Sequence, residues 1–156
     1  MENKTQGSCH GMVDISDKAV TKRRAVATGM ITFEKRAFDI FLKQGSPKGD
    51  VLETAKIAGI MAAKSTPSIL PLCHPLMLDK VKVTFEIQKS KFAVAVTAEV
   101  VSTGKTGVEM EALTAVSTAC LTIYDMMKWT GQTMRISDIK LMHKSGGKSG
   151  VFIQKI

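Results

Sequence analysis

The sequence predicts an α+β domain built on an antiparallel sheet, and three observations carry that expectation. Apolar residues alternate with polar ones in two neighbouring stretches: Val81, Val83, Phe85 and Ile87, then Phe92, Val94, Val96, Ala98 and Val100. Period two is the spacing of a half-buried strand, and the "QKSK" between the stretches fits a hairpin turn. A third stretch, 107–129, is apolar around most of its circumference at helical spacing, which describes a helix buried on most sides. At 156 residues and 44% hydrophobic side chains, one domain with a substantial core accommodates all three.

The remaining elements follow in chain order. Residues 1–20 carry no regular pattern and are expected to form a flexible N-terminal segment, leaving 21–156 as a single domain. "RRAVATGMITF" (23–33) reads as a strand. "EKRAFDIFLKQG" reads as a short helix closed by Gly45 at C′. Asp50, with Glu53 three residues on, has the form of a capping box opening a second helix that runs to about Ser65. Thr106 and Glu109 repeat that spacing ahead of the long helix. Met134 and Ile136, then Ile139 and Leu141, form a strand whose phase breaks at Ser137-Asp138, the signature of a bulge. "VFIQKI" closes the chain as a last short strand. The order β-α-α-β-β-α-β matches the ferredoxin-like βαββαβ sandwich with one additional helix.

Charge narrows the function. Twenty-two basic residues against fourteen acidic ones leave a net charge of +8, which implies an anionic partner. Aromatics are 5% of the chain and are not interleaved with the basic residues. That argues against stacking platforms for single strands and against an RNA-binding sheet, which needs aromatics on its central strands. No nucleic acid is expected as a partner. The run Lys22-Arg23-Arg24 reads as a solvated strand edge. The longest apolar run, "ILPLCHPLML", is interrupted by prolines and too short to span a bilayer. With no signal-peptide pattern at the start, a cytoplasmic protein without a membrane association is expected. Cys9, Cys73 and Cys120 form no C-x-x-C, so neither a disulfide scaffold nor a zinc site is expected. Cys9-His10 receives no role.

Two Gly-Lys-Ser/Thr triplets invite a phosphate reading. A P-loop needs a glycine five positions before the Gly-Lys pair. Those positions hold Met142 for Gly147-Lys148-Ser149 and Glu99 for Gly104-Lys105-Thr106. Nucleotide hydrolysis by a P-loop is rejected, and an anion-binding loop of another kind at 144–150 remains open.

On the long helix, Glu111, Thr114, Thr118, Thr122 and Asp125 fall within one stripe about 80° wide at about 100° per residue. The threonines are expected to bond back to the helix. Glu111 stands in the first turn, where the dipole favours a carboxylate. Asp125 stands near the other end, where the dipole disfavours one, with Lys128 three residues on. An acid and an amine so placed shift each other's pKa and can act as a proton-transfer pair. Glu111 and Asp125 are fourteen positions apart, roughly 21 Å along a helix. If both serve one small substrate, the site must combine opposite ends of this helix from two subunits.

The motifs "MVDIS" (12–16), "KGD" (48–50), "PLCHPLML" (71–78), "TGKTGVEMEALTA" (103–115), "LTIYDMMK" (121–128) and "KSGGKSG" (144–150) occur in this order. Together they resemble the cyclic pyranopterin monophosphate synthase (MoaC) family of molybdenum cofactor biosynthesis, over essentially the whole domain. The resemblance implies a lyase that converts 3′,8-cyclo-7,8-dihydro-GTP, supplied by an upstream radical enzyme, into cyclic pyranopterin monophosphate and pyrophosphate. It implies no cofactor and a hexamer built from dimers, with active sites at dimer interfaces. Asp125, Lys128 and Lys48 match the family's catalytic positions. Leu72, Cys73, His74, Glu109, Met110, Glu111, Arg23, Lys144 and Lys148 match substrate-binding ones. Lys48 also precedes a helix N-terminus, a favourable place for anions. Whether Arg23 or Arg24 faces the pocket stays open.

Overall fold

The computed structural model describes residues 11–155; Cys9-His10 lies outside the described residues. The chain forms β1 (Thr21–Thr32), α1 (Lys35–Lys43), α2 (Val51–Lys64), a single turn α3 (Thr66–Ile69), β2 (Lys80–Gln88), β3 (Ala93–Gly104), α4 (Glu109–Met127), β4 (Arg135–Ser145) and β5 (Phe152–Ile153). The strands make one antiparallel sheet in the order β2-β3-β1-β4-β5. β1, α2, β2, β3, α4 and β4 are the ferredoxin-like βαββαβ unit, and α1 is the additional helix.

Alternation explains the sheet. Val94, Val96, Ala98 and Val100 of β3 and Ala25, Ala27 and Ile31 of β1 are fully buried and face the helices. The expected hairpin pairs Gln88 with Ala93 and Val83 with Ala98. Its turn closes with Phe92 in a left-handed conformation, φ 48°. That is an uncommon conformation for a bulky residue, and the Phe92 ring packs on Phe38 at a centroid distance of 5.8 Å. Phe33 and Phe41 complete the aromatic cluster that seats α1.

Small residues let the helices approach. α2 lies on α4 and β2, and α4 lies across β1, β3 and β4. Gly59 of α2 is so close to α4 that a Cβ there would stand 3.0 Å from the Ala115 carbonyl oxygen and 3.5 Å from the Ala119 Cβ. The bulge expected in β4 is present as register shifts against β1 between Val26 and Ala27 and between Thr28 and Met30, with Asp138 at φ 55°.

The structure corrects four local expectations. Thr106 and Glu109 do not form a capping box: α4 begins after Val108 with no side-chain cap. The Glu109 carboxylate is instead held by Lys144 at 3.0 Å. Arg23 and Arg24 are not on a sheet edge, because β1 lies between β3 and β4. Among the described residues the strand expected at "VFIQKI" is reduced to Phe152 and Ile153. β3 runs on to Gly104 rather than ending near Val100. The cap of α2 forms as expected, with Asp50 Oδ1 accepting from the Glu53 N–H at 2.8 Å.

Gly29 marks where α4 rests on β1. A Cβ there would sit 2.6 Å from Val116 Cγ1 and 3.1 Å from Ile139 Cγ1. Gly29→Ala is expected to destabilise the fold by about 1–3 kcal/mol, the usual cost of overpacking, read as a lower midpoint in urea unfolding.

Candidate active-site clusters at the two ends of helix α4

The residues selected from sequence gather at the two ends of α4. At its C-terminal end the Asp125 carboxylate divides its oxygens between two ammonium groups. Lys48 Nζ donates to Oδ2 at 2.7 Å and Lys128 Nζ pairs with Oδ1 at 2.8 Å. Lys128 arrives from the turn that follows α4. Lys48 arrives from the loop before α2, and that loop is fastened to the same helix end: Ser46 Oγ donates to the Met126 carbonyl at 2.7 Å and accepts from the Lys48 N–H at 3.2 Å.

The three side chains are about half exposed. Hydrogen bonds from Lys128 and then Lys48 hold the Asp125 carboxyl at about 2, and the same contact raises Lys128 above the ordinary lysine value. The cluster therefore holds an ionised acid between two lysine side chains. It suits electrostatic stabilisation of negative charge.

At the N-terminal end the loop between α3 and β2 folds against the first turn of α4. Its backbone is anchored by Ser102 Oγ donating to the Met77 carbonyl at 2.7 Å and by the Asp79 N–H donating to the Val101 carbonyl at 2.8 Å. Leu72, Cys73 and His74 thereby line a cleft of ≈ 290 Å³ with Glu109, Met110 and Glu111. Glu111 is 3% exposed. Its burial raises its pKa, and the hydrogen bond from its own N–H acts the other way as the smaller effect. Burial also raises the Cys73 thiol, with the Glu111 charge adding to it. Cys73 is thus held as a thiol, not a thiolate nucleophile.

A basic trough continues from this cleft along the end of the sheet. Arg23 is fixed by carbonyls at the end of β3: Nε donates to Gly104 at 3.4 Å and Nη2 donates to Lys105 at 3.1 Å. Gly146 and Gly147, at φ 98° and 78°, pass directly over it. A Cβ at Gly147 would collide with the Arg23 guanidinium, and one at Gly146 with the Lys22 carbonyl. Gly146 and Gly147 are therefore required by close approach to Lys22 and Arg23 as well as by positive φ. Lys144 and Ser149 border the trough, and a neighbouring cleft of ≈ 300 Å³ is lined by Thr21, Arg23, Lys148 and Ser149. Arg24 also lines the trough, but its guanidinium is already paired, with Nε on Glu99 at 2.8 Å and Nη1 on His143 Nδ1 at 3.2 Å.

Two further basic residues of the trough, Lys18 and Lys105, escape sequence reasoning. Lys105 belongs to the triplet that fails the P-loop test, and Lys18 lies in a segment without periodicity. A larger cleft of ≈ 490 Å³ opens between α1 and the start of α2, next to Phe41, Ser46 and Ile87. Its carboxylate, Asp50, is already used as the α2 cap. Among the described residues no group of three His, Cys, Asp or Glu side chains is placed to hold a metal ion. No helix of the described residues is long and apolar enough to cross a membrane.

The MoaC family model matches residues 12–147, a span that includes both clusters and the glycines over Arg23. The chain belongs to the MoaC family. Proteins named cyclic pyranopterin monophosphate synthase are among its relatives. One from Methylobacterium sp. (strain 4-46) is 53% identical over 141 residues, 90% of this chain and 88% of the relative. One from Magnetococcus marinus (strain ATCC BAA-1437 / JCM 17883 / MC-1) is 50% identical over 143 residues, 92% and 88% of the two chains. One from Parvibaculum lavamentivorans (strain DS-1 / DSM 13023 / NCIMB 13966) is 50% identical over 144 residues, 92% and 90% of the two.

Glu111 yields a pH prediction whose sign is fixed by the direction of its shift. A carboxyl titrating higher in the folded chain favours folding while protonated. Its contribution is lost as pH rises from the ordinary glutamate range through the folded value. Glu111→Gln is expected to raise stability at neutral pH and to flatten the pH dependence above about 4.3, the ordinary glutamate value. Urea midpoints between acid and neutral pH measure both effects.

Proposed function

We propose that this chain converts 3′,8-cyclo-7,8-dihydro-GTP into cyclic pyranopterin monophosphate and pyrophosphate, acting as a phosphorus-oxygen lyase in molybdenum cofactor biosynthesis. The observation that carries the reading is 53% identity across 90% of the chain to a protein named for that synthesis. On this reading residues 21–156 are a single catalytic domain, cytoplasmic and free of redox cofactor. The substrate comes from an upstream radical enzyme.

The geometry supports a division of labour. Closing a cyclic phosphate at the innermost phosphorus forms one P–O bond to a sugar hydroxyl and breaks the P–O bond to pyrophosphate. The hydroxyl proton must leave, and the departing pyrophosphate carries away negative charge. Arg23, Lys144 and Lys148 bind the polyphosphate in the trough, where cations attract the charge that develops on the leaving group. Glu109 releases Lys144 as the phosphates replace its carboxylate. Leu72, Cys73, His74, Met110 and Glu111 hold the purine-derived ring. Lys128 and Lys48 serve as acid/base groups for the ring rearrangement, each oriented by Asp125. Removing Asp125 costs both lysines their shared anchor.

A helix separates the two groups of residues, so one substrate meets both only where the N-terminal end of one α4 lies beside the C-terminal end of a neighbour's. Met110 and Leu121 on α4 and Ile57 and Met61 on α2 are 40% to 60% exposed. Those apolar side chains favour burial in an assembly. The proposed assembly is a hexamer built from dimers, with active sites between subunits.

An assay on chemically supplied 3′,8-cyclo-7,8-dihydro-GTP tests the reading. Wild-type protein should release pyrophosphate. Asp125→Asn should keep the wild-type circular dichroism and unfolding midpoint and lose roughly 10²–10⁴-fold in turnover, the scale of acid/base catalysis. Undiminished turnover in that variant contradicts the assignment of Asp125.

A further inference from the structure

Residues 12–18, ahead of β1, are held at the end of the sheet by a small set of hydrogen bonds. Asp14 Oδ1 accepts from the Ser16 N–H at 2.8 Å and from Ser16 Oγ at 2.6 Å, and the Lys18 N–H donates to the Ile15 carbonyl at 3.1 Å. These bonds coil the segment into a turn. The Ser16 hydrogen bonds hold Asp14 below the usual carboxylate range, and the Lys105 charge contributes. The Lys105 ammonium then donates to the Ser16 carbonyl at 2.6 Å, across 89 positions of sequence. The carbonyl of this same Lys105 accepts from Arg23 Nη2. One residue thus fastens both the guanidinium of the trough and the turn that leads to Lys18.

Lys18 stands at the junction of the two basic clefts and lines both. The cleft it shares with Thr21, Arg23, Lys148 and Ser149 contains no carboxylate. Thr21 Oγ1, on its wall, is a buried hydroxyl without a hydrogen-bond partner. Cations gathered without a counter-charge repel one another, and an entering anion relieves that repulsion.

We propose that Lys105 is a positioning residue. By holding the Ser16 carbonyl it fixes the 14–18 turn and brings the Lys18 ammonium to the polyphosphate trough, as a cation additional to Arg23, Lys144 and Lys148. The inference rests on the polyphosphate reading of the trough given above. Its ligand is the terminal diphosphate part of the substrate, the part released as pyrophosphate. Lys18 is the group that touches the anion; Lys105 acts through it.

Inorganic pyrophosphate binding to the full chain, followed by calorimetry, separates positioning from simple charge. Asp14→Ala removes a negative charge and also uncoils the turn. Electrostatics alone makes that variant bind the anion more tightly; the clasp makes it bind roughly 10- to 100-fold more weakly, the scale of a lost charge-assisted hydrogen bond. Asp14→Asn keeps an acceptor for Ser16 and should retain at least wild-type affinity. Lys105→Met and Lys18→Ala should each weaken binding, and the double variant should bind no more weakly than Lys18→Ala. Tighter or unchanged binding in Asp14→Ala, or additive losses in the double variant, overturns the clasp. Wild-type protein that binds pyrophosphate but does not turn over the cyclic GTP derivative contradicts the proposed reaction and leaves the clasp standing.

Discussion

Burial of helix α4 is the constraint on which the rest of this molecule depends. Ala112, Ala115, Val116, Ala119, Cys120 and Ile123 are wholly buried against the sheet and α2. Small residues dominate that surface, so backbones approach closely and the helix has no room to tilt or slide. Its nineteen residues make a rod of roughly 28 Å. A rod clamped along its length holds whatever its ends carry at a set separation. In this chain the ends carry Glu109 and Glu111 on one side and Asp125 on the other. The polar stripe between them closes on itself, as when Thr122 Oγ1 donates to the Thr118 carbonyl at 2.8 Å.

Each end then solves its own electrostatic problem. At the C-terminal end the helix dipole disfavours the Asp125 carboxylate, and two lysines outweigh that effect. At the N-terminal end the dipole favours carboxylates, but burial of Glu111 opposes ionisation and wins. In the trough beyond it, two cations have their positions set by backbone carbonyls. Arg23 is held by Gly104 and Lys105, and Lys105 in turn holds Ser16. Carbonyls orient a cation without neutralising it, so these groups keep their charge for a ligand. Lys144 is the exception, paired with Glu109, and it must change partners when an anion enters.

Local patterns in the sequence were legible where the structure is locally determined. Alternation reveals β2 and β3, the Asp50–Glu53 spacing reveals the start of α2, and the phase break at Ser137-Asp138 reveals the bulge. Distant partners hide the rest. Thr106 and Glu109 have the spacing of a cap, but Lys144, 35 positions away, takes the glutamate. The run Lys22-Arg23-Arg24 resembles an edge because nothing local shows that β3 and β4 flank it. Asp125 and Lys128 are legible as an i,i+3 pair. That Lys48 completes the cluster follows from the motif resemblance and from its place before α2, not from any spacing. Lys18 and Lys105 are visible only once 89 positions of chain are folded back on themselves.

The central claim is that one active site draws on both ends of α4 from different subunits. Mixing two individually inactive proteins, Glu111→Ala and Asp125→Asn, tests it most directly after unfolding and co-refolding to randomise the subunits. The account predicts that turnover reappears, because some interfaces then pair an intact N-terminal cluster with an intact Asp125 from a neighbour. Mixed assemblies that form but stay as inactive as their parents would contradict it.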